Sequence, residues 1–427
     1  MTRNAVLGGG ALGLTVALRL AQRGEEVVLF EREPIPGGLA AGFPLGPSYL
    51  EKFYHHLFRS DREATALIDE LGLSSKLVWP VPVTSTLIDG KMLELDSPWS
   101  LLRFAALPLL DRIRLGAAVA YLKLEPNYHR LEQMTADAWL RKWMGPRVYQ
   151  VLWEPLLRSK FGDRYREIAM PWFWARMHYR SQSLGYLRGG FQQLYDALVA
   201  EIRRLGGEAR FGTAVIGVTP VADGFRVAFS GGEEVVHRVV STLPTQLSTQ
   251  LIPALAGSFA ERYGSVDSYG AHCAVLTLDR QLTDVYWLNV NDSGYPFLAL
   301  VEHTNYMPPE DYGGRHIVYL GNYLPMNDPL YTERDEQVLE RYYCALRKIN
   351  PTFDPSWVTE YRIFKAPYAQ PIVTVGYPDR VPPHTTPIAN LYLANMSQVY
   401  PQDRGQNYSI AMANRLVDEI LQGRPSA

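Results

Sequence analysis

Two hydrophobic periods alternate along the chain. Short runs of consecutive apolar residues read as buried strands, and apolar residues three and four apart read as one face of a helix. Ala5-Val6-Leu7, entered at Asn4, is the first such run. Leu14, Ala17, Leu18 and Leu20 then keep helical spacing up to Gly24, which suits a helix stop. Val27-Val28-Leu29-Phe30 is a second strand, and it ends in Glu31. Residues 61–73 predict a helix capped by Asp61, with Ala64, Leu67, Ile68 and Leu71 on one face and Gly72 at its end. Residues 77–96 alternate as a hairpin, with Val81, Val83 and Leu87 before a turn at Asp89-Gly90 and Met92, Leu93 and Leu95 after it. Residues 99–124 are the most apolar helical stretch. They read as a buried hairpin kinked at Pro108, or as a pocket wall or a surface that touches membrane. Thr135 caps a further helix.

The second half repeats the alternation. A helix through Leu194, Leu198 and Ile202 stops at Gly206-Gly207, and a strand follows at 208–211. A hairpin over 224–238 closes with Val239-Val240-Ser241-Thr242-Leu243-Pro244. Strands are expected at 273–278, 297–302, 316–323, 358–364 and 390–395, and helices at 333–349 and 409–421. This order predicts an α/β fold with a second, strand-rich α+β part.

Composition narrows the function. The chain has 427 residues, 47% of them hydrophobic, enough for two cored domains. A net charge of −2 gives no reason to expect a nucleic-acid partner. Cys273 and Cys344 are too few and too far apart for a disulfide framework or a C-x-x-C motif, and the nine histidines show no paired metal spacing, so no metal is expected. No apolar run reaches the ~20 residues that span a bilayer. Arg19 and the glycines at 8–10 argue against reading the start as a secretory leader. A cytoplasmic protein with peripheral membrane contact is the expectation; the oligomeric state stays open.

The first turn carries chemistry. Gly8-Gly9-Gly10-Ala11-Leu12-Gly13 is a G-x-G-x-x-G between a strand and a helix, with Glu31 ending the next strand. Gly8 permits the turn, Gly10 lets a pyrophosphate approach the backbone, and Gly13 lets helix and sheet pack closely. The free N–H groups at Ala11 and Leu12 begin a helix dipole that favours phosphate, and Glu31 can accept ribose hydroxyls. Further on, His55 and His56 are candidates for proton or hydrogen-bond chemistry. The Trp- and Arg-rich stretch 147–180 reads as a grip for an anionic substrate or as a polar face with aromatic anchors.

After Glu31 the chain continues Arg32-Glu33-Pro34-Ile35-Pro36-Gly37-Gly38-Leu39-Ala40. Here it resembles the FAD-dependent amine oxidase superfamily, which includes protoporphyrinogen oxidases and phytoene desaturases. Residues 187–244 and 390–408 extend the likeness. His56-Leu57-Phe58-Arg59-Ser60 also resembles a stretch of UDP-galactopyranose mutases. The resemblance implies a glutathione-reductase-like FAD-binding Rossmann domain with an inserted α+β substrate domain. It implies FAD-domain segments 1–76, 185–265 and 385–427, and substrate-domain segments 77–184 and 266–384. It also implies non-covalent FAD held by Arg32, Gly37, Gly38, Leu39, Val215, Thr242, Pro244, Asn395 and Asn407, with Arg404 and Tyr408 beside the flavin. Leu39 stands where most members have Arg, and residues 270–278 lack the lysine common in amine oxidases, which argues against simple amine oxidation. The expected activity is oxidation or desaturation of a small or lipophilic organic substrate. The alternative is a non-redox mutase acting on a nucleotide sugar.

Overall fold

Three distant stretches of chain build one parallel sheet in the computed structural model, which describes residues 2–264 and 266–422. In spatial order its five strands are Leu391–Leu393, Arg238–Ser241, Arg3–Leu7, Glu26–Phe30 and Glu208–Arg210. The central strand is covered on both sides, and Asn4 to Leu7 are at most 1% exposed. That is why its sequence is apolar without alternation. Helix Ala11–Gln22 packs on this sheet and against helices Gln192–Arg204 and Gln406–Gln422.

A second sheet of seven strands is mostly antiparallel. Its order is Val358–Pro371, Ser268–Leu278, His316–Leu324, Ala299–Glu302, Trp287–Val290, Thr84–Ile88 and Lys91–Glu94. Along Ser268–Leu278 the side chains alternate between two cores. Ala274, Leu276 and Leu278 pack with helix Asp335–Ile349, whereas Cys273 and Val275 join the core that contains the first sheet's helices. A helical block completes the molecule, with Pro98–Arg103, Leu109–Leu124, Ala136–Met144, Glu154–Phe161 and Met170–His178 around Leu122, Trp139, Leu140, Trp172 and Trp174.

Local expectations meet mixed outcomes. The turn at Asp89-Gly90 forms with φ of 51° and 71°, and Thr135 Oγ1 accepts the Ala138 N–H at 3.2 Å. Asp61 precedes its helix without capping it: its Oδ2 turns back to accept the Phe58 N–H at 2.9 Å. Val81 and Val83 stay outside the strand and are exposed, and Val81 lines the cavity, so the alternation there is not a sheet face. Trp287–Val290 escaped notice because it is short and carries the polar Asn289. The stretch 99–124 divides at Pro108 into two helices, but it is not a buried hairpin: Leu115, Ala118 and Leu122 face the core, while Leu109, Leu110 and Ile113 do not. The last helix starts at Gln406, three residues before its expected start.

Candidate active site

The glycine turn makes one end of a large cavity. Gly8, with φ of 107°, donates its N–H to the Phe30 carbonyl at 2.8 Å and ties the turn to the next strand. A Cβ on Gly13 would sit 2.0 Å from the Gly8 carbonyl oxygen, so only glycine lets the helix start this close. A Cβ on Gly10 would meet nothing within 4 Å, since the turn faces open space there. Helix Ala11–Gln22 begins at that point with no side chain capping its N–H groups. Anionic oxygen is the natural complement of such an end. Glu31 sits over the turn: its Oε2 accepts the Gly9 N–H at 2.6 Å and its Oε1 the Glu33 N–H at 2.8 Å. Gly9 is required because a Cβ would lie 2.9 Å from that of Glu31, a constraint that motif reading missed.

The cavity encloses about 1580 Å³ and runs on between the sheets and the helical block. Its lining includes every predicted cofactor contact except Asn407. Asn407 is buried elsewhere and accepts the Ala64 N–H at 3.1 Å, so it caps a neighbouring helix instead of facing the cavity. Asn395 lines the cavity, but its side chain is engaged. Its Nδ2 donates to the Leu243 carbonyl and Thr245 Oγ1, and its Oδ1 accepts the Ser397 N–H, which locks 243–245 to 395–398. Arg32 stands at the rim, mostly exposed and paired with Glu33.

His55, His56, Arg404 and Tyr408 share the other part of the cavity. His55 donates Nδ1–H to the Phe53 carbonyl at 2.6 Å. Burial lowers its pKa to about 4; Arg404 adds to the shift and the Phe53 hydrogen bond opposes it. His56 lies edge-on to Phe58 and Trp287, and its buried Nδ1 has no partner. Burial, then the charges of Arg180, His55 and Arg176, lower it to about 3. Both imidazoles are therefore neutral near pH 7. Tyr408 is raised by burial, with Asp61 as the next contributor.

Asp403 is the residue that sequence reading left out. It accepts hydrogen bonds from Lys160 Nζ at 3.1 Å, Arg176 Nη1 at 2.5 Å and Trp172 Nε1 at 3.2 Å. Burial alone would raise it, but Lys160, Arg176 and Arg404 outweigh that and hold it far below the carboxylate range. Arg404 itself donates to Gln370 and Tyr323 and lies 4.4 Å from the Tyr323 ring centroid, so it belongs to the cavity wall and not to a surface ion pair. The Lys160, Trp172 and Arg176 found in the Trp- and Arg-rich stretch owe their place to this carboxylate. Asp61 also lines the cavity; burial raises it to about 6, against the pull of the Phe58 N–H. Strand Ser268–Leu278 carries no lysine, but its His272 faces Lys365 across the sheet and both line the cavity.

The arrangement fits a dinucleotide. One end offers an uncapped helix start, open space over Gly10 and an oriented carboxylate. Gln406, at the start of the last helix, lines the same cavity and leaves its buried Nε2 without a partner. Among the described residues, no cluster of His, Cys, Asp and Glu could hold a metal ion.

Comparisons with known proteins agree with this geometry. Over 179 residues the chain is 31% identical to the carotenoid phi-ring synthase of Streptomyces griseus, an alignment covering 37% of this chain and 35% of that enzyme. A proposed protoporphyrinogen oxidase from Exiguobacterium sp. 255-15 superposes with a TM-score of 0.78 at 20% identity, covering 99% of each chain. Reduced UDP-galactopyranose mutase superposes at 0.73 with 13% identity over 100% of this chain and 97% of its own. A redesigned putrescine oxidase gives 0.72 at 13% identity over 99% of each. At these identities the structures share the fold. The model of the flavin containing amine oxidoreductases matches residues 13–402, and the chain belongs to that family as an FAD-dependent oxidoreductase.

Proposed function

We propose that this oxidoreductase removes hydrogen from a lipophilic organic substrate. The observation that carries the reading is the second half of the cavity. Beyond His56 its walls include Leu101, Leu115, Val119, Leu152, Leu156 and Phe173, more apolar surface than a small polar amine requires. FAD would supply the two-electron acceptor, and the glycine turn, Glu31, Gly37 and Gly38 would hold it. The chain's residues do the rest. Arg404, fixed by Tyr323 and Gln370, presents a permanent positive charge. The neutral His56 can accept or donate one hydrogen bond at Nδ1, although a group near 3 is a poor base at pH 7. Asp61, near 6, is better matched to carry a proton away from the substrate. Carotenoid and protoporphyrinogen chemistry, named for two of the similar proteins, both fit such a pocket.

The test is anaerobic mixing of the FAD-loaded protein with three probes: a partly saturated carotenoid, protoporphyrinogen and putrescine. Flavin bleaching by either of the first two supports the reading. Bleaching by putrescine alone overturns it. One observation favours a second reading. Arg176, Arg180 and Arg404 line the cavity with Asp403 paired to Arg176, a surplus of positive charge that would suit a nucleotide-sugar diphosphate. That reading requires conversion of UDP-galactopyranose only after the flavin is reduced, with no net oxidation.

A further inference from the structure

The helical block has an outer face that the site does not use. Of the fifteen large hydrophobic residues that stand exposed among the described residues, seven fall between 99 and 124. Trp99 is 73% exposed, Leu109 58%, Leu110 80% and Ile113 55%. On Leu109–Leu124 the exposed positions 109, 113, 117 and 124, none of which lines the cavity, follow helical spacing and form one stripe. A soluble surface leaves single apolar residues outside, not a stripe of this kind.

Charge identifies what covers it. Outside the cavity, residues 97–124 hold Arg103, Arg112 and Arg114 against Asp111 alone, in a chain whose net charge is −2, while Lys123 donates to the Arg180 carbonyl at 2.9 Å on the cavity side. Two of these cations are fixed at the edge of the stripe. Arg112 donates to the Leu102 and Leu107 carbonyls at 2.6 Å each, and Arg114 to the Trp143 and Lys142 carbonyls at 2.7 and 2.6 Å. A second copy of the chain meeting this face by two-fold symmetry would bring like charges together. An anionic lipid surface presents the complement: negative headgroups for the arginines and an acyl boundary for Trp99, Leu109, Leu110 and Ile113. Neither helix is long and apolar enough to cross a bilayer, so contact stays at the interface. The same helices turn Leu101, Leu115 and Val119 inward to the cavity, so lipid and cavity share one wall.

We propose that Pro98–Arg103 and Leu109–Leu124 form a docking face for anionic membrane. The claim is separate from the identity of the substrate. Its test is flotation of the full-length, FAD-loaded protein with vesicles of phosphatidylcholine alone or mixed with phosphatidylglycerol. The expected result is flotation with the anionic vesicles, weakened by high salt. The triple variant Leu109→Ser, Leu110→Ser, Ile113→Ser should keep the flavin spectrum and melting temperature but lose at least about tenfold in vesicle affinity. Arg103→Glu should weaken anionic binding without changing flavin content. Three outcomes overturn the proposal: no flotation of wild type, equal flotation with both compositions, or a wild-type dimer that the triple variant dissociates. The last would assign the face to a second copy.

Discussion

Glu31 is held in place by the turn itself, because the Gly9 and Glu33 N–H groups donate to its two oxygens at 2.6 and 2.8 Å. Each oxygen keeps lone pairs for a hydroxyl donor. Glu31→Ala should therefore weaken FAD binding by about 1.5–3 kcal/mol, the range for hydrogen bonds to a charged group. That is roughly ten- to a hundredfold in Kd, measurable by fluorescence titration of the flavin-stripped protein. Unchanged affinity in a folded variant would mean that the carboxylate serves only the turn. Gly9 illustrates the limit of motif reading: the pattern leaves its position free, yet the Glu31 side chain excludes a Cβ there.

Among the elements, strand Ser48–Glu51 is tied at its last residue to three others. The Glu51 carboxylate accepts the Tyr186 hydroxyl at 2.8 Å and the Phe191 N–H at 2.6 Å, and the Glu51 carbonyl accepts the Tyr319 hydroxyl at 2.8 Å. Burial raises the acid from 4.5 to about 7, although the hydrogen bonds from the Phe191 N–H and the Tyr186 hydroxyl oppose the shift. The folded state thus favours the protonated form. This contribution to stability is full below pH 4.5 and is lost as pH rises through about 7. A shift of that size corresponds to about 3 kcal/mol. Glu51→Gln should flatten the melting-temperature profile between pH 5 and about 8, with the variant gaining on wild type at the alkaline end. Parallel profiles would show that Glu51 titrates normally.

At the scale of the molecule, the parallel sheet is assembled from residues 3–30, 208–241 and 391–393, and the cavity lies where these stretches meet. A ligand that bridges them binds the folded chain alone. FAD at a hundred times its Kd should add about 2.7 kcal/mol, and stripping it should lower the melting temperature by a few degrees. Differential scanning fluorimetry with added FAD should restore the loss, and added AMP should restore little of it. The docking face belongs to this scale too, since no single residue on it is unusual.

The first strand, glycine turn, helix and second strand were legible in the chain because they are local. Gly8, Gly10, Gly13 and Glu31 lie within one strand–turn–helix–strand unit, where backbone sterics dictate residue type. The alternation that marked the turn at Asp89-Gly90 is local in the same way. What lay beyond reach depends on distant partners. Asp403 is unremarkable in sequence and acquires its role only when Lys160, Trp172 and Arg176 fold against it. Asn407 looked like a site residue until the helix at Ala64 claimed its oxygen. Asp61 read as a cap, and the buried turn at Phe58 redirected it. Apolar composition at 99–124 was visible, but which side faced the core was not. A hydrophobic stripe states only that something apolar will cover it. Tertiary packing decides which part is covered by the chain itself, because that depends on the volume and charge brought by residues far away in sequence.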